Sequence, residues 1–279
     1  MIRFDPRQTL ARPDLADRRL EGLVRAAAFA APRSMRCKAS VAGLHQAADS
    51  GSVQEDQLLY GEVFDVLEAK DGWAWGQARR DGYVGFVGVE ALGPLDEAPT
   101  HRVRALRTIG LSRPELRAAA VGVLSMNALV VAGDEREGYL DAGDAGWIFA
   151  RHLEPLGVFE DEPAAVAELY LGTPYLWGGR DSLGIDCSGL VQQALYACGR
   201  ACPRDADQQM DAFPRGVAMS DVSRGDLVFW EGHVGMMLDS SRLLHANSRH
   251  MAVAIEALAV VIERNRAAGV GEPLGARRP

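Results

Sequence analysis

Short alternating runs of apolar and polar residues fill the stretch 58–92, which reads LLYGEVFDVLEAKDGWAWGQARRDGYVGFVGVEAL. Asp-Gly pairs at Asp71 and Asp81 interrupt these runs. Alternation with a period of two gives a strand one apolar face, and Asp-Gly favours the tight turn of a hairpin. The stretch therefore predicts short antiparallel strands joined by tight turns.

The same pattern occurs a second time further along the chain. Asp71–Trp73 (DGW) followed by Gly82–Val84 (GYV) corresponds to Glu137–Tyr139 (EGY) followed by Gly146–Ile148 (GWI). A leucine and a proline come a few residues after each copy. We interpret this as an internal repeat of two small β-barrels, the alternative being a chance likeness between two turn-rich segments.

Two linker-like stretches divide the chain of 279 residues, at Gly93–Arg102 (GPLDEAPTHR) and Gly157–Ala165 (GVFEDEPAA). They predict three regions: an N-terminal arm and helix with a first β-barrel (1–98), a second β-barrel (99–158) and an α+β domain (159–279). The helix of the arm is expected within DLADRRLEGLVRAAAFA. In the last region, DEPAAVAELYLG and SGLVQQALYACG are expected helices, and GDLVFW, HVGMML and RLLHAN are expected strands.

Composition excludes several kinds of partner and site. The net charge of −8 and the lack of a Lys/Arg-rich block argue against nucleic acid or an anionic membrane. Four cysteines do not make a disulfide framework in a chain of this length, and Cys198 and Cys202 have no second Cys or His pair for a metal site. No signal peptide or membrane span is predicted, so the expected location is the cytoplasm. The oligomeric state is not predicted.

Cys187 stands at the start of the second expected helix, directly after Asp186. Aspartate is a good N-cap, and the first turn offers unpaired N–H groups and the positive end of the helix dipole, which both favour a thiolate. Cys187 is therefore a candidate nucleophile, although a structural thiol at this position remains open.

A nucleophilic cysteine needs a base, and two histidines are candidates. His233 opens one expected strand, and a hairpin turn at Asp239–Ser241 would place His245 opposite it or one residue away. Such a pair suits a base and a second group that orients it. Two sheet histidines without a catalytic role are the alternative.

Four motifs in this order resemble the NlpC/P60 cysteine peptidases of bacterial cell-wall metabolism: GTPYLWGGRDSLGIDCSGLVQQALYACG, PRDADQQ, GDLVFW and GHVGMMLDSSRLLHANS. The resemblance covers about residues 162–256. The two upstream β regions resemble bacterial SH3-type domains more loosely. A chain with two such modules before the peptidase domain is similar to the γ-D-glutamyl-L-diamino-acid endopeptidases.

The resemblance implies a papain-like fold in which Cys187 is the nucleophile, His233 the base and His245 the residue that orients it. Tyr175 matches the tyrosine near the oxyanion site, with packing beneath the cysteine helix as the alternative. No metal or organic cofactor is implied. The expected substrate is a murein-derived peptide, cleaved between D-glutamate and diaminopimelate or lysine during recycling or turnover.

A free N-terminal L-alanine is expected on that peptide. Asp205 matches the family position that receives the substrate amine, and Ser188 can add a hydrogen bond. Tyr83 and, more weakly, Glu55 are the candidates from the first β region; a core aromatic and a solvated loop acid are the respective alternatives. Two other functions stay open: a Cys-His amidase or acyltransferase on a related scaffold, and a non-catalytic SH3-type wall- or peptide-binding protein.

Overall fold

The computed structural model describes residues 4–279, and the chain divides into two compact units, residues 1–156 and 157–279. Within residues 4–156 the regular elements are strands and short 3₁₀ turns, whereas the second unit combines helices with one sheet. Among residues 4–279, no helix has the length and apolar character needed to cross a membrane.

The predicted helix of the N-terminal arm is wrong. Two short strands, β1 (Leu15–Asp17) and β2 (Ala28–Ala30), pair in parallel there, and residues 18–20 form a single 3₁₀ turn. Asp17 caps that turn by accepting the N–H of Arg19, and Gly22 follows at φ +80°, which a right-handed helix does not allow. The beginning of the predicted arm, residues 1–3, lies outside the described residues.

Seven strands form the sheet of the first β region, in the order β5-β4-β8-β7-β6-β3-β9. Their bounds are β3 Arg33–Cys37, β4 Val41–His45, β5 Gln54–Leu59, β6 Val63–Lys70, β7 Trp73–Ala78, β8 Val84–Gly88 and β9 Leu92–Pro94. Leu44, Leu58 and Phe64 are fully buried in its core. The strands predicted for this stretch are confirmed.

The second β region builds a five-stranded sheet, β12-β11-β16-β15-β14, and a three-stranded sheet, β13-β10-β17. Its strands are β10 His101–Val103, β11 Arg107–Leu111, β12 Ala120–Ser125, β13 Leu129–Val130, β14 Glu135–Arg136, β15 Tyr139–Asp141, β16 Trp147–Phe149 and β17 Leu153–Pro155. Val103, Leu124 and Ile148 lie in a separate core. That this region is a second SH3-like barrel stays a prediction.

The two copies of the sequence repeat have the same local geometry. Asp71-Gly72 and Glu137-Gly138 both adopt positive φ at the two central residues of a hairpin turn. Each copy later enters a 3₁₀ turn, at Val89–Ala91 or Ala150–His152, and then the short strand that holds the leucine and the proline.

The second unit places four helices with a six-stranded antiparallel sheet in the order β18-β23-β19-β20-β21-β22. The helices are α1 Pro163–Glu168, α2 Cys187–Ala197, α3 Ala206–Ala212 and α4 Leu258–Ala267. The strands are β18 Gly216–Val217, β19 Leu227–Trp230, β20 His233–Met237, β21 Arg242–Asn247, β22 Ala252–Ala257 and β23 Gly275–Arg277. Every residue of α2 is buried, and this helix packs against β20 and β21. The cysteine helix and the histidine strands thus meet in the core of this unit.

Candidate active site

Cys187 is the first residue of α2, as the sequence predicted. The side chain of Asp186 caps the helix by accepting the N–H of Gly189, with 2.7 Å between Oδ1 and N. The sulfur of Cys187 accepts hydrogen bonds from the backbone N–H groups of Val234 and Ser188. Because Val234 belongs to β20, the thiol lies at the start of that strand.

A close approach of backbones fixes the loop before the nucleophile. Asp186 donates its N–H to the carbonyl oxygen of Gly179. A Cβ on Gly189, in the first turn of α2, would lie 2.3 Å from that same oxygen. Only glycine therefore fits at position 189 while the loop keeps this position.

The thiol is less acidic than its helix position alone predicts. Burial raises the pKa of Cys187 to about 12, and the charge of Asp186 adds to this. The N–H groups of Val234 and Ser188 and the charge of Arg204 lower the pKa of the thiol but do not outweigh burial. The helix N-terminus thus stabilises a thiolate once it forms, while the resting cysteine is a neutral thiol.

The two candidate histidines are hydrogen-bonded to each other. Nε2 of His233 lies 2.9 Å from Nδ1 of His245. His233 directly precedes Val234, the residue whose N–H reaches the sulfur of Cys187. The hydrogen bond between the rings uses Nε2 of His233, so its other ring nitrogen, Nδ1, takes no part in that bond.

The register of β20 with β21, which brings the two histidines together, differs from the prediction. The turn closes with a hydrogen bond from the N–H of Leu238 to the carbonyl of Arg242, and Met236 pairs with Leu244. Continued along β20, this register puts His245 level with Gly235, two residues from His233. The rings therefore meet diagonally across the sheet rather than side by side, a spacing that long side chains can bridge.

Burial favours the neutral form of both imidazoles. Burial lowers the pKa of His233 to about 3, helped by repulsion from His245 whenever that ring is protonated and by the charge of Arg264. Burial also lowers the pKa of His245, although its hydrogen bond with Glu256 opposes this. A neutral imidazole has one donor and one acceptor nitrogen, so each ring can accept a proton during a reaction.

Tyr175 lies beside the segment that leads into α2. It forms a β-bridge with Ile185, and its N–H donates to the carbonyl of Met251. Burial, followed by the charges of Cys187 and Asp186, raises the pKa of its phenol above the ordinary value. The hydroxyl therefore stays protonated and can act as a hydrogen-bond donor near the cysteine.

A buried ion pair supports the start of α2. Nη2 of Arg204 lies 2.6 Å from Oδ2 of Asp186, and Nη1 lies 3.0 Å from Oδ1. Nη1 also donates to the hydroxyl of Ser188, while Oδ2 of Asp186 accepts the N–H of Gly178. The hydroxyl of Ser188, a predicted substrate contact, is thus part of a buried network.

Asp205 caps α3. Its side chain accepts the backbone N–H of Gln208, and the side-chain oxygen of Gln208 accepts the N–H of Asp205, which together form a capping box. The side-chain amide of Gln209 donates to the carbonyl oxygens of Ser188 and Pro203, which ties the start of α3 to the start of α2.

Tyr83 and Glu55 belong to the N-terminal unit. Tyr83 is buried in the core of the seven-stranded sheet, and Glu55 is a half-buried residue of β5. Their part in substrate binding stays a prediction.

Comparison with known proteins assigns the two kinds of domain. The NlpC/P60 family matches residues 172–270, and the bacterial dipeptidyl-peptidase Sh3 domain matches residues 44–92. A γ-D-glutamyl-L-lysine dipeptidyl-peptidase from Bacillus subtilis is 36% identical over 240 residues, covering 76% of this chain and 78% of the relative. The chain belongs to the NlpC/P60 family.

Two further comparisons agree with this assignment. A dipeptidyl-peptidase 6 from Lysinibacillus sphaericus is 27% identical over 237 residues, covering 75% of this chain and 86% of the relative. The crystal structure of an NlpC/P60 family protein from Bacillus cereus has the same fold, with a TM-score of 0.75 at 21% identity, covering 88% of this chain and 99% of the other.

The NlpC/P60 domain contains charged groups that the motifs did not single out as site residues. Glu256 receives a hydrogen bond from His245, Arg264 binds Glu256, and Arg204 binds Asp186. Arg204 stands beside Asp205 in the PRD motif, which is a usable signal. Glu256 is one acid in an alternating strand and carries no signal until the register of β21 and β22 is known.

Proposed function

We propose that this chain is a cysteine peptidase that hydrolyses the bond between the γ-carboxyl of D-glutamate and an L-diamino acid in short cell-wall peptides. The diamino acid is diaminopimelate or lysine, and the peptide begins with a free L-alanine, as expected in murein recycling or turnover. The observation that carries the proposal is a cysteine at a helix N-terminus, bonded to the strand that begins with His233, which in turn bonds His245. The name of the Bacillus subtilis relative supports the choice of bond.

The first chemical step joins the two halves of the site. The thiol of Cys187 gives its proton to Nδ1 of His233, and the sulfur attacks the carbonyl carbon of the γ-amide. The C=O electron pair moves onto oxygen, where the phenol of Tyr175 and the N–H of Cys187 stabilise the charge. The N–H groups of a first helical turn lack partners within the helix, so that of Cys187 suits this role.

The remaining steps release the two products and restore the thiol of Cys187 and the neutral imidazole of His233. The imidazolium of His233 protonates the leaving amine of the diamino acid as the C–N bond breaks, which leaves a thioester on Cys187. Nδ1 of His233 then takes a proton from a water molecule, whose oxygen attacks the thioester carbon. The C–S bond breaks, the sulfur regains the proton, and the peptide is released with a free γ-carboxyl.

Recognition of the peptide amine is the part of the proposal that sets specificity. Moving an ammonium group out of water costs several kcal/mol of desolvation free energy, so the group needs a carboxylate and further polar partners. We assign the carboxylate to Asp205 and a further hydrogen bond to Ser188. That Tyr83 and Glu55 contribute to binding of the L-alanine end stays a prediction from the sequence.

The test uses full-length protein and two peptides, L-Ala-γ-D-Glu-diaminopimelate with a free and with an acetylated N-terminus, with products identified by mass spectrometry. We expect free diaminopimelate and L-Ala-D-Glu from the free peptide only. The Cys187→Ala variant should release no diaminopimelate, whereas the control variant Cys198→Ala, which removes a half-buried thiol at the end of α2, should match the wild type.

Three results would change the proposal. Turnover by Cys187→Ala would remove the cysteine mechanism. Release of another amine or transfer of an acyl group would favour the amidase or acyltransferase, and peptide binding without turnover would favour the non-catalytic protein. Equal cleavage of the acetylated peptide, or an unchanged kcat/KM in Asp205→Asn and Tyr83→Phe, would remove the amine-binding assignment.

A further inference from the structure

Glu256 ends a line of hydrogen-bonded side chains that starts at the base. Its Oε2 lies 3.0 Å from Nε2 of His245, whose Nδ1 faces His233. Nη1 of Arg264 lies 2.5 Å from Oε1, and Nη2 lies 3.1 Å from Oε2. The side chain of Glu256 is only 12% exposed, so these contacts are largely shielded from water.

The line runs diagonally across three neighbouring strands. In the pairing of β21 with β22, His245 lies opposite Ala254, and Leu243 lies opposite Glu256. Glu256 is therefore two residues beyond the partner of His245, on the same side of the sheet because side chains alternate. The step from His233 to His245 has the same two-residue offset, so the fold repeats one geometry twice.

The direction of each hydrogen bond follows from the carboxylate at the end. An ionised carboxylate can only accept, so Nε2 of His245 must carry a hydrogen. Neutral His245 then has a bare Nδ1, which accepts from Nε2–H of His233. Neutral His233 in turn has a bare Nδ1, the atom that must take the proton of the thiol.

We infer that Glu256 is a positioning residue that fixes the tautomers of His245 and His233 and so keeps Nδ1 of His233 ready to accept a proton from Cys187. The inference deepens the proposed function and rests on it for its catalytic consequence. Its structural content, the tautomer of each ring, does not depend on the substrate.

The charges around Glu256 favour this arrangement. Burial would raise the pKa of Glu256, but hydrogen bonds from Arg264 and His245 outweigh burial and hold the pKa at about 2. Three groups contact the carboxylate: His245 from β21, Arg264 from α4, and His250, with Nε2 3.4 Å from Oε2, from the turn before β22. His250 is 42% exposed and reaches Oε2 only at 3.4 Å, so its substitution offers a matched control for the contacts of this carboxylate.

The direct test is ¹⁵N NMR of protein with labelled histidines, which distinguishes protonated from bare ring nitrogens without any substrate. In the wild type near pH 7, both His233 and His245 should carry the proton on Nε2. In Glu256→Gln the amide can donate as well as accept, so His245 should show a mixture of tautomers. Glu256→Asp keeps a carboxylate and should restore the wild-type pattern, and His250→Gln should leave it unchanged.

Kinetics on the free tripeptide then test the catalytic consequence. Glu256→Gln should lower kcat/KM on the order of 10- to 100-fold, by analogy with the hydrogen-bond partners that orient metal-bound histidines. Loss of a nearby negative charge lowers the pKa of the histidine pair, so the acid limb of the pH profile should move to lower pH. Glu256→Asp should recover part of the activity, and His250→Gln should stay within about twofold of the wild type.

The outcomes separate the two proposals. A proton on Nδ1 of His233 in the wild type would overturn the inference even if Glu256→Gln failed to fold. Unchanged tautomers in a folded Glu256→Gln would overturn it too, since any loss of activity would then be structural. A wild type with the expected tautomers but no turnover would instead contradict the proposed function.

Discussion

Two arginine–carboxylate pairs stand on opposite sides of the candidate catalytic groups, and they hold different things. Arg204 binds Asp186 on the cysteine side, and Arg264 binds Glu256 on the histidine side. Besides its arginine, Asp186 accepts backbone N–H groups of the cysteine loop and helix, whereas Glu256 accepts an imidazole N–H. One pair therefore fixes a backbone, and the other fixes where protons reside.

The two ion pairs also differ in how deeply they are buried. The side chains of Arg204 and Asp186 are 1% and 9% exposed, while those of Arg264 and Glu256 are 24% and 12% exposed. Breaking a fully buried pair leaves an uncompensated charge in the core, which mainly costs stability. Changing a charge next to a titratable histidine mainly changes its pKa. The comparison teaches that similar ion pairs serve folding or chemistry according to what else the carboxylate accepts.

The largest expected effect concerns the two histidines on the proton side. His233→Gln should lower kcat/KM by roughly 10³- to 10⁴-fold because no other group replaces the base. His245→Gln should lose less, on the order of 10- to 100-fold, since the glutamine oxygen can still accept from Nε2 of His233. Steady-state kinetics on the free tripeptide measure both; the reverse order would mean that the roles are exchanged.

The next largest effect is on folding, at the cysteine side. Arg204→Met leaves Asp186 buried without its cation and should lower the free energy of unfolding by about 3–5 kcal/mol. The control Arg224→Met removes an ion pair with Glu162 and Glu168 in which every side chain is at least 34% exposed, and should cost about 0–1 kcal/mol. Urea denaturation measures both, and equal losses would contradict the contrast between a buried and a surface pair.

The smallest expected effect tests the histidine side through the direction of a pKa shift. The charge of Arg264 lowers the pKa of His233 and of His245, so Arg264→Met should raise both. The acid limb of the kcat/KM profile should then move to higher pH by less than about one unit, opposite to Glu256→Gln. Arg266→Met, which removes the exposed pair with Glu272 at the end of the same helix, serves as the control. A shift in the same direction in Arg264→Met and Glu256→Gln would contradict the electrostatic argument.

Local features of the fold could be predicted because they depend on residues close in sequence. Asp186 before an apolar run predicts where α2 begins, and Gly199 at φ +72° ends it. The Asp-Gly and Glu-Gly pairs predict the hairpin turns. The helix predicted for the N-terminal arm is wrong for an equally local reason: the cap at Asp17 starts only one 3₁₀ turn, and Gly22 then interrupts it.

The sequence by itself determined the chemical groups and their local settings. It placed a cysteine after a helix cap and two histidines in strands joined by a short turn. These depend on caps, alternation and turn residues, which act over a few positions.

Only the tertiary structure decided how these groups work together. Burial, which is a property of the packed core, raises the pKa of the thiol against the trend set by the helix N-terminus, and it lowers the pKa of both imidazoles. Strand register sets the two diagonal steps from His233 to His245 and on to Glu256. Register and burial arise from contacts between residues far apart in the chain, so no window of the sequence contains them.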